Sequence, residues 1–276
     1  MRRFLRSTIG KILVIVLALW WFGLSDAIDL GYWNLRYKMV RNPAPRNIVA
    51  MPLDDLREYG NSDAAALLLR LRSMMPREVL LDAKVKTGAD QNADAALAAA
   101  VRSFGDDLTF VVRSEKLDSF PASAFRIPPA EIVGNARIAV SAWKTDFIAN
   151  AVSTPTSLTI NGTEYPTVSA HLAHWAKART GRVYPDFSID PSTIPVIPAR
   201  SVLDGKVPAE AITGRTIIVT AQGSAPVAGY YGSTVTSPVP LDIAGAEALR
   251  KPFSVDLTDL PLLVLTLSAL ALIGRL

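Results

Sequence analysis

Two uncharged apolar runs, one near each end of the chain, constrain the fold more than any other feature, because they leave only the middle free to build a globular core. The first, "ILVIVLALWWFGL" at residues 12–24, follows Arg2, Arg3, Arg6 and Lys11. Counted back to Ile9, with Lys11 snorkelling toward the headgroups, it approaches the roughly 17–25 residues that a bilayer crossing needs. Trp20, Trp21 and Phe22 suit the outer interface. Ser25 and Ala27 have the small-residue spacing of a cleavage site, so a cleaved signal peptide also fits, while Asp26 and the upstream aromatics favour an uncleaved anchor. On either reading the basic flank stays in the cytoplasm and the chain beyond the apolar run is exported.

The second run, residues 260–273, has Asp256 and Asp259 before it and Arg275 after it, which predicts a cytoplasmic C-terminus. As a helix from Leu260 to Gly274 it covers on the order of 22 Å, short of a hydrocarbon core about 30 Å thick, so it spans only with help from its flanks. It has no polar face to show water, which argues against an amphipathic core helix. The expected organisation is a basic tip and anchor at 1–27, a periplasmic domain at 28–255 and a second transmembrane helix at 256–276. The bulk of the chain is then periplasmic, tethered to a bacterial inner membrane, with the lipid bilayer as its first partner.

The formal charge of +4 does not point to nucleic acid. The four basic residues of the tip account for it, and the remainder is close to neutral, whereas a phosphate-binding surface needs its excess Lys and Arg on the folded domain. Cysteine is absent, which removes disulfides, thiolate chemistry and Cys-ligated zinc.

Between the runs, strand and helix signals alternate. "RNIVAM", "EVLLD" and "DLTFVV" read as strands, "NSDAAALLLRLRSM" as a helix capped by Asn61 or Ser62, and "DQNADAALAAAVRSFG" as a helix capped near Asp90 or Asn92 and stopped by Gly105. Such short strand–helix–strand connections predict a parallel core sheet. Further on, the prolines of "FPASAFRIPPAE" predict a loop, "ARIAVSAW" a strand, and Asn161-Gly162 the turn of a hairpin. "TVSAHLAHWAKARTG" reads as a helix closed by Gly181, with "RVYPDFSI" and "GRTIIVTA" as later strands. The predicted fold class is α/β: a mixed, mainly parallel central sheet with flanking helices, plus the terminal transmembrane helices.

No catalytic fingerprint is present, neither a nucleophile elbow nor a phosphate loop nor a dinucleotide motif. His171 and His174 share a helix face, but no further ligands stand near them in the sequence, so packing or surface roles are expected and no metal or cofactor is predicted. Asp54, Asp55, Asp82, Asp90 and Asp94 follow or lie near strand ends, where ligands gather in an open α/β sheet. The plainer reading is that Asp90 caps a helix and the others are solvated. The glycine-rich stretch "AQGSAPVAGYYGS", with Ser224, follows a strand as an anion cradle would, but its spacing fits no phosphate fingerprint and a plain turn-rich loop is the expected reading.

The order of these pieces resembles the CHASE2 family of bacterial extracytoplasmic sensor domains, over about residues 47–246. "NIVAMPLDDLREYG" is similar to the family's opening strand and turn, "EVLLDAKV" to its second strand ending in aspartate, and "ADAALAAAV" to the next helix. "TVSAHLAHWA" is similar to a later Ala/Leu-rich helix. "IPARSVLDGKVPAEAITGRTIIVTAQGSA" is similar to the stretch leading into the last core strand. Pro52 and Asp55 stand at the opening strand-end motif, Thr220 stands where the family has glycine, and "PLDIAGA" lacks the family's histidine. Asp82 and Asp94 keep the expected character.

The resemblance implies signal input with no catalytic residue. The ligand-binding candidates are Asp54, Asp55, Asp82 and Asp94, by their place near strand ends, and Ser224 of the glycine-rich stretch, for an unknown periplasmic small molecule or protein; of these the resemblance bears on Asp82 and Asp94. It also implies a cytoplasmic output module or partner chain of cyclase, diguanylate cyclase, phosphodiesterase or kinase type, with a homodimer as a further expected assembly. Two alternatives stand beside it: a tethered periplasmic scaffold with a degenerate sensor fold, and a periplasmic hydrolase.

Overall fold

The computed structural model describes residues 40–53, 60–82, 85, 88, 90–116, 119–145, 151–174, 181–220 and 237–250. Its centre is a five-stranded sheet formed by β1 (Ile48–Pro52), β2 (Glu78–Asp82), β3 (Leu108–Arg113), β4 (Arg137–Ser141) and β8 (Thr216–Thr220). Every pairing within it is parallel, and the order is β1-β8-β2-β3-β4, so the last strand returns to lie between the first two. The longer strands outside this sheet among the described residues are β5 (Ala151–Pro155) and the antiparallel hairpin of β6 (Ser157–Ile160) and β7 (Thr163–Pro166). Asn161 and Gly162, at φ 51° and 82°, make the hairpin's two-residue turn in the left-handed region that Asn-Gly favours.

The helices pack on both faces. On one lie α1 (Asn61–Ser73), α2 (Gln91–Phe104), α3 (Ala130–Val133) and α5 (Ala199–Leu203); on the other lie α4 (Val168–Leu172) and α6 (Val239–Arg250). Successive side chains of a strand point to opposite faces, and this period decides the chemistry of each. The α1/α2 face takes Val49 and Met51, Val79 and Leu81, Leu108 and Phe110, and Ile217 and Val219, all buried against Leu67, Leu68, Leu71, Leu97 and Val101. Each such side chain contributes roughly 1.5–3 kcal/mol of burial.

The α4/α6 face is different. Its middle row is apolar, with Leu80, Val111, Ala139 and Ile218 under Val168, Leu172 and Ile243. The positions two residues to either side are polar: Glu78, Thr109, Arg137 and Thr216 toward the amino ends of the strands, and Asp82, Arg113, Ser141 and Thr220 at the carboxyl ends.

Local signals explain the helix boundaries. The Asp90 carboxylate accepts from the backbone N–H of Asn92 at 2.9 Å and of Ala93 at 3.2 Å, capping α2, and Gly105 at φ 55° ends it. Helix α1 is entered through Gly60, whose N–H donates to Asp63 at 3.2 Å, rather than through Asn61 or Ser62 as caps. Helix α4 runs only over Val168–Leu172, and residues 175–180 of the predicted longer helix lie outside the described residues. "RVYPDFSI" forms two two-residue strands in different sheets, Arg182–Val183 antiparallel to β5 and Ile189–Asp190 parallel to Asn42–Pro43.

The edges of the sheet are covered. Ala50 N–H donates to Pro195 at 2.9 Å and Ile197 N–H to Ala50 at 3.0 Å beside β1, and Val140 of β4 bridges Thr167.

The expectation of a sheet plus terminal transmembrane helices is corrected. Among the described residues no helix is long and apolar enough to cross a membrane. The longest, α2, has 14 residues and so spans about 21 Å, against about 30 Å of hydrocarbon, and it buries only one face. Residues 1–27 and 256–276 lie outside the described residues.

Candidate functional site at the carboxyl ends of the strands

Parallel pairing brings the last residues of the strands into line: Thr220 lies opposite Asp82 and Pro52, and Arg113 opposite Ser141. Arg113 donates to Asp82 Oδ2 through Nε at 2.6 Å and also through Nη2, and the Thr220 hydroxyl donates to the same oxygen at 3.2 Å. Both members of the pair are largely removed from solvent, so the ion pair is charge-assisted and weakly screened.

A second carboxyl enters from α6. Asp242 is buried, and its oxygens accept from the Ser141 hydroxyl at 3.3 Å and 3.5 Å and from the Trp143 indole N–H at 3.3 Å. Its hydrogen-bond donors are thus neutral and long, while Arg113, the cation acting on it, is bonded to Asp82. Burial pushes the Asp242 carboxyl up to about 7, opposed by the charge of Arg113, reinforced by that of Asp82, and tempered by Trp143 and Ser141. Asp242 therefore titrates near neutrality, beside a carboxylate that keeps the arginine.

Helix α6 is seated tightly there. A Cβ on Gly245 would overlap the Ser169 hydroxyl and lie 2.8 Å from Ser169 Cβ and 3.1 Å from Trp143 Cη2, so only glycine lets α6 approach α4 and the end of β4 this closely. The Ser169 hydroxyl itself is buried without a hydrogen-bond partner.

A different cluster occupies the amino end of the same face, about 13 Å away at the rise of a β-strand. There His171 of α4 bonds Glu78 through Nε2, and the Thr109 hydroxyl donates to Glu78 at 3.2 Å and lies 3.3 Å from Nε2. Burial opposes ionisation of Glu78, but the hydrogen bond and charge of His171, with Thr109 and Arg137, outweigh it and hold the carboxyl below its ordinary value. Arg77 donates to His174 Nε2 at 2.8 Å, so that nitrogen acts as acceptor; partial burial and then the charge of Arg77 lower the His174 pKa.

Of the residues singled out in the sequence, Asp82 stands at the centre of the carboxyl-end cluster. Asp94 accepts from Asn61 Nδ2 at 2.5 Å and Gly88 N–H at 2.8 Å, tying the starts of α1 and α2 together. Asp54, Asp55 and Ser224 lie outside the described residues. Sequence reasoning does not pick out Arg113, Ser141, Trp143 or Asp242. The one signal pointing at Asp242 is a lone acid inside the apolar run "VPLDIAGA".

Among the described residues no group of three acidic or histidine side chains converges to hold a metal ion. The His171 Nε2 is already engaged by Glu78 and lies beside the Thr109 hydroxyl. Compared with protein-family models, with curated proteins and with solved structures, the chain matches none.

Proposed function

We propose that the chain is an extracytoplasmic sensory input domain that performs no chemistry of its own and relays a stimulus to an output of cyclase, phosphodiesterase or kinase type. One observation carries this reading: the buried polar cluster at the carboxyl ends of the strands is completed by a side chain of α6, so whatever rearranges the cluster also acts on how that helix is seated. The ends of parallel strands are where α/β folds hold ligands, and a stimulus shifts such a domain only if it binds two arrangements unequally. The CHASE2 resemblance of the sequence supports the same reading.

The test is calorimetry on the full chain with a panel of amino acids, dicarboxylates and simple sugars, repeated on Asp82→Asn. Stoichiometric binding that Asp82→Asn weakens at least tenfold is the expected result. A panel that never binds, together with a protein captured reproducibly by crosslinking in cells, would establish the scaffold reading instead. Turnover of ester or glycoside substrates lost in the variant would make the protein a hydrolase.

A further inference from the structure

We propose that Asp242 is a proton-binding site, and that gain or loss of its proton sets how α6 seats on the carboxyl end of the sheet and which carboxyl holds Arg113. The inference deepens the input-domain reading, on which its biological purpose rests, by naming the proton as a stimulus.

The geometry carries it. Asp242 lies fully inside, and its donors are one hydroxyl and one indole N–H, each at 3.3 Å or longer. A protonated carboxyl is at ease in such a place, because its own O–H can donate to Ser141 Oγ. An ionised carboxylate is not, since two neutral hydrogen bonds do not replace the water it has lost. It has two remedies: to draw Arg113 away from Asp82, or to let α6 lift so that water enters. Both rearrange the cluster.

Among the described residues the charged surroundings are few. Asp82 of β2 and Arg113 of β3 act on Asp242 directly, with opposite signs. Among the described residues of β4 and the stretch after it, Ser141 and Trp143 bond Asp242. Helix α4 contributes His171, which is held by Glu78 at the far end of the sheet, and meets α6 through Ser169. The stretch beside α6 contributes exposed Arg182, and Asp186, which holds Ser188 through the hydroxyl at 2.6 Å. Burial, with Asp82, prevails over Arg113 and brings the carboxyl to about 7. Tight contact at Gly245 makes the seated state of α6 well defined, since sliding the helix closer meets Ser169 at once.

Because the Trp143 indole N–H donates to Asp242, its resonance reports the charge on the carboxyl. The full chain, labelled with ¹⁵N-tryptophan and assigned through Trp143→Phe, should show that resonance titrating with a midpoint near pH 7. Over the same range, hydrogen-exchange protection of α6, corrected for the intrinsic rate, should fall about tenfold from pH 6 to pH 8, the factor expected when a group of pKa near 7 in the seated state returns to an ordinary carboxylate on lifting. Asp242→Asn should abolish both changes. Ser141→Ala, which removes a donor to the ionised form, should move the midpoint upward, and it keeps the test alive if Asp242→Asn does not fold.

A Trp143 resonance that does not titrate between pH 6 and pH 8, or an Asp242→Asn variant that retains the tenfold change, overturns the proposal. The two readings fail separately. A chain that titrates this way but binds none of the calorimetric probes retains the switch and loses the small-molecule reading. Binding without the titration does the reverse.

Discussion

The two ends of one sheet face solve the same problem in opposite ways. At the amino end Glu78 is buried against His171 and Thr109 and is held ionised below the ordinary carboxylate range. At the carboxyl end Asp242 is buried against Ser141 and Trp143 while Arg113 stays with Asp82, and it is pushed up to about 7. Burial disfavours both charges; what differs is whether a basic side chain is bonded to the group itself or to its neighbour. The first end behaves as a lock and the second as a site able to change state near neutral pH.

The contrast can be broken most forcefully at the bonded ion pair. Arg113→Met leaves Asp82 buried and unpaired, and should lower unfolding free energy by about 3–5 kcal/mol in denaturant titration. Adding Asp82→Leu should restore most of it. If the single variant costs under about 1 kcal/mol, Arg113 is a surface-like pair and Asp242 has no competitor for it.

The next effect is a pH slope. Asp242 keeps its proton in the folded chain above pH 3.8, where the unfolded chain has lost it, so the folded state binds more protons and stability falls as pH rises toward about 7. The slope should be about 1.4 kcal/mol per pH unit between pH 5 and pH 7, and should vanish in Asp242→Asn. Glu78 works in the other direction: its contribution is complete above its ordinary value of 4.5 and is lost as pH falls through its lower folded value. Thermal scans of Glu78→Gln should therefore show less acid destabilisation than the parent below pH 4.5.

Gly245→Ala comes next, at about 1–3 kcal/mol, because the added methyl meets Ser169 and Trp143. Combining it with Ser169→Gly should recover part of the loss. Asp90→Ala, remote from both clusters, should cost about 1 kcal/mol through the cap of α2 and leave every titration as it was.

The sequence makes the scaffold legible and leaves most of the site illegible, for a physical reason. Strands such as "EVLLD" and helices such as "DQNADAALAAAVRSF" announce themselves within a dozen residues through periodicity and capping, and they fold as their local signals direct. Asp82 is visible because a carboxylate at the end of a buried strand is unusual. Arg113 looks like an ordinary polar strand end, since nothing local ties it to a residue 31 positions earlier. Asp242 meets Ser141 across 101 residues, a contact set by the insertion of β8 between β1 and β2 and the return of α6 over the sheet. The pairing of His171 with Glu78 across 93 residues is equally hidden, because the local pattern around the histidines speaks only of packing or a solvent-facing surface.

The difference between the ends is tested most directly by following Asp242 and Glu78 together, through their carboxyl ¹³C resonances, in one pH titration of the full chain. The expected result is a midpoint near pH 7 for Asp242 and one below 4.5 for Glu78. Two midpoints in the ordinary carboxylate range would contradict it, and with it the idea that the carboxyl end of the sheet is built to change state.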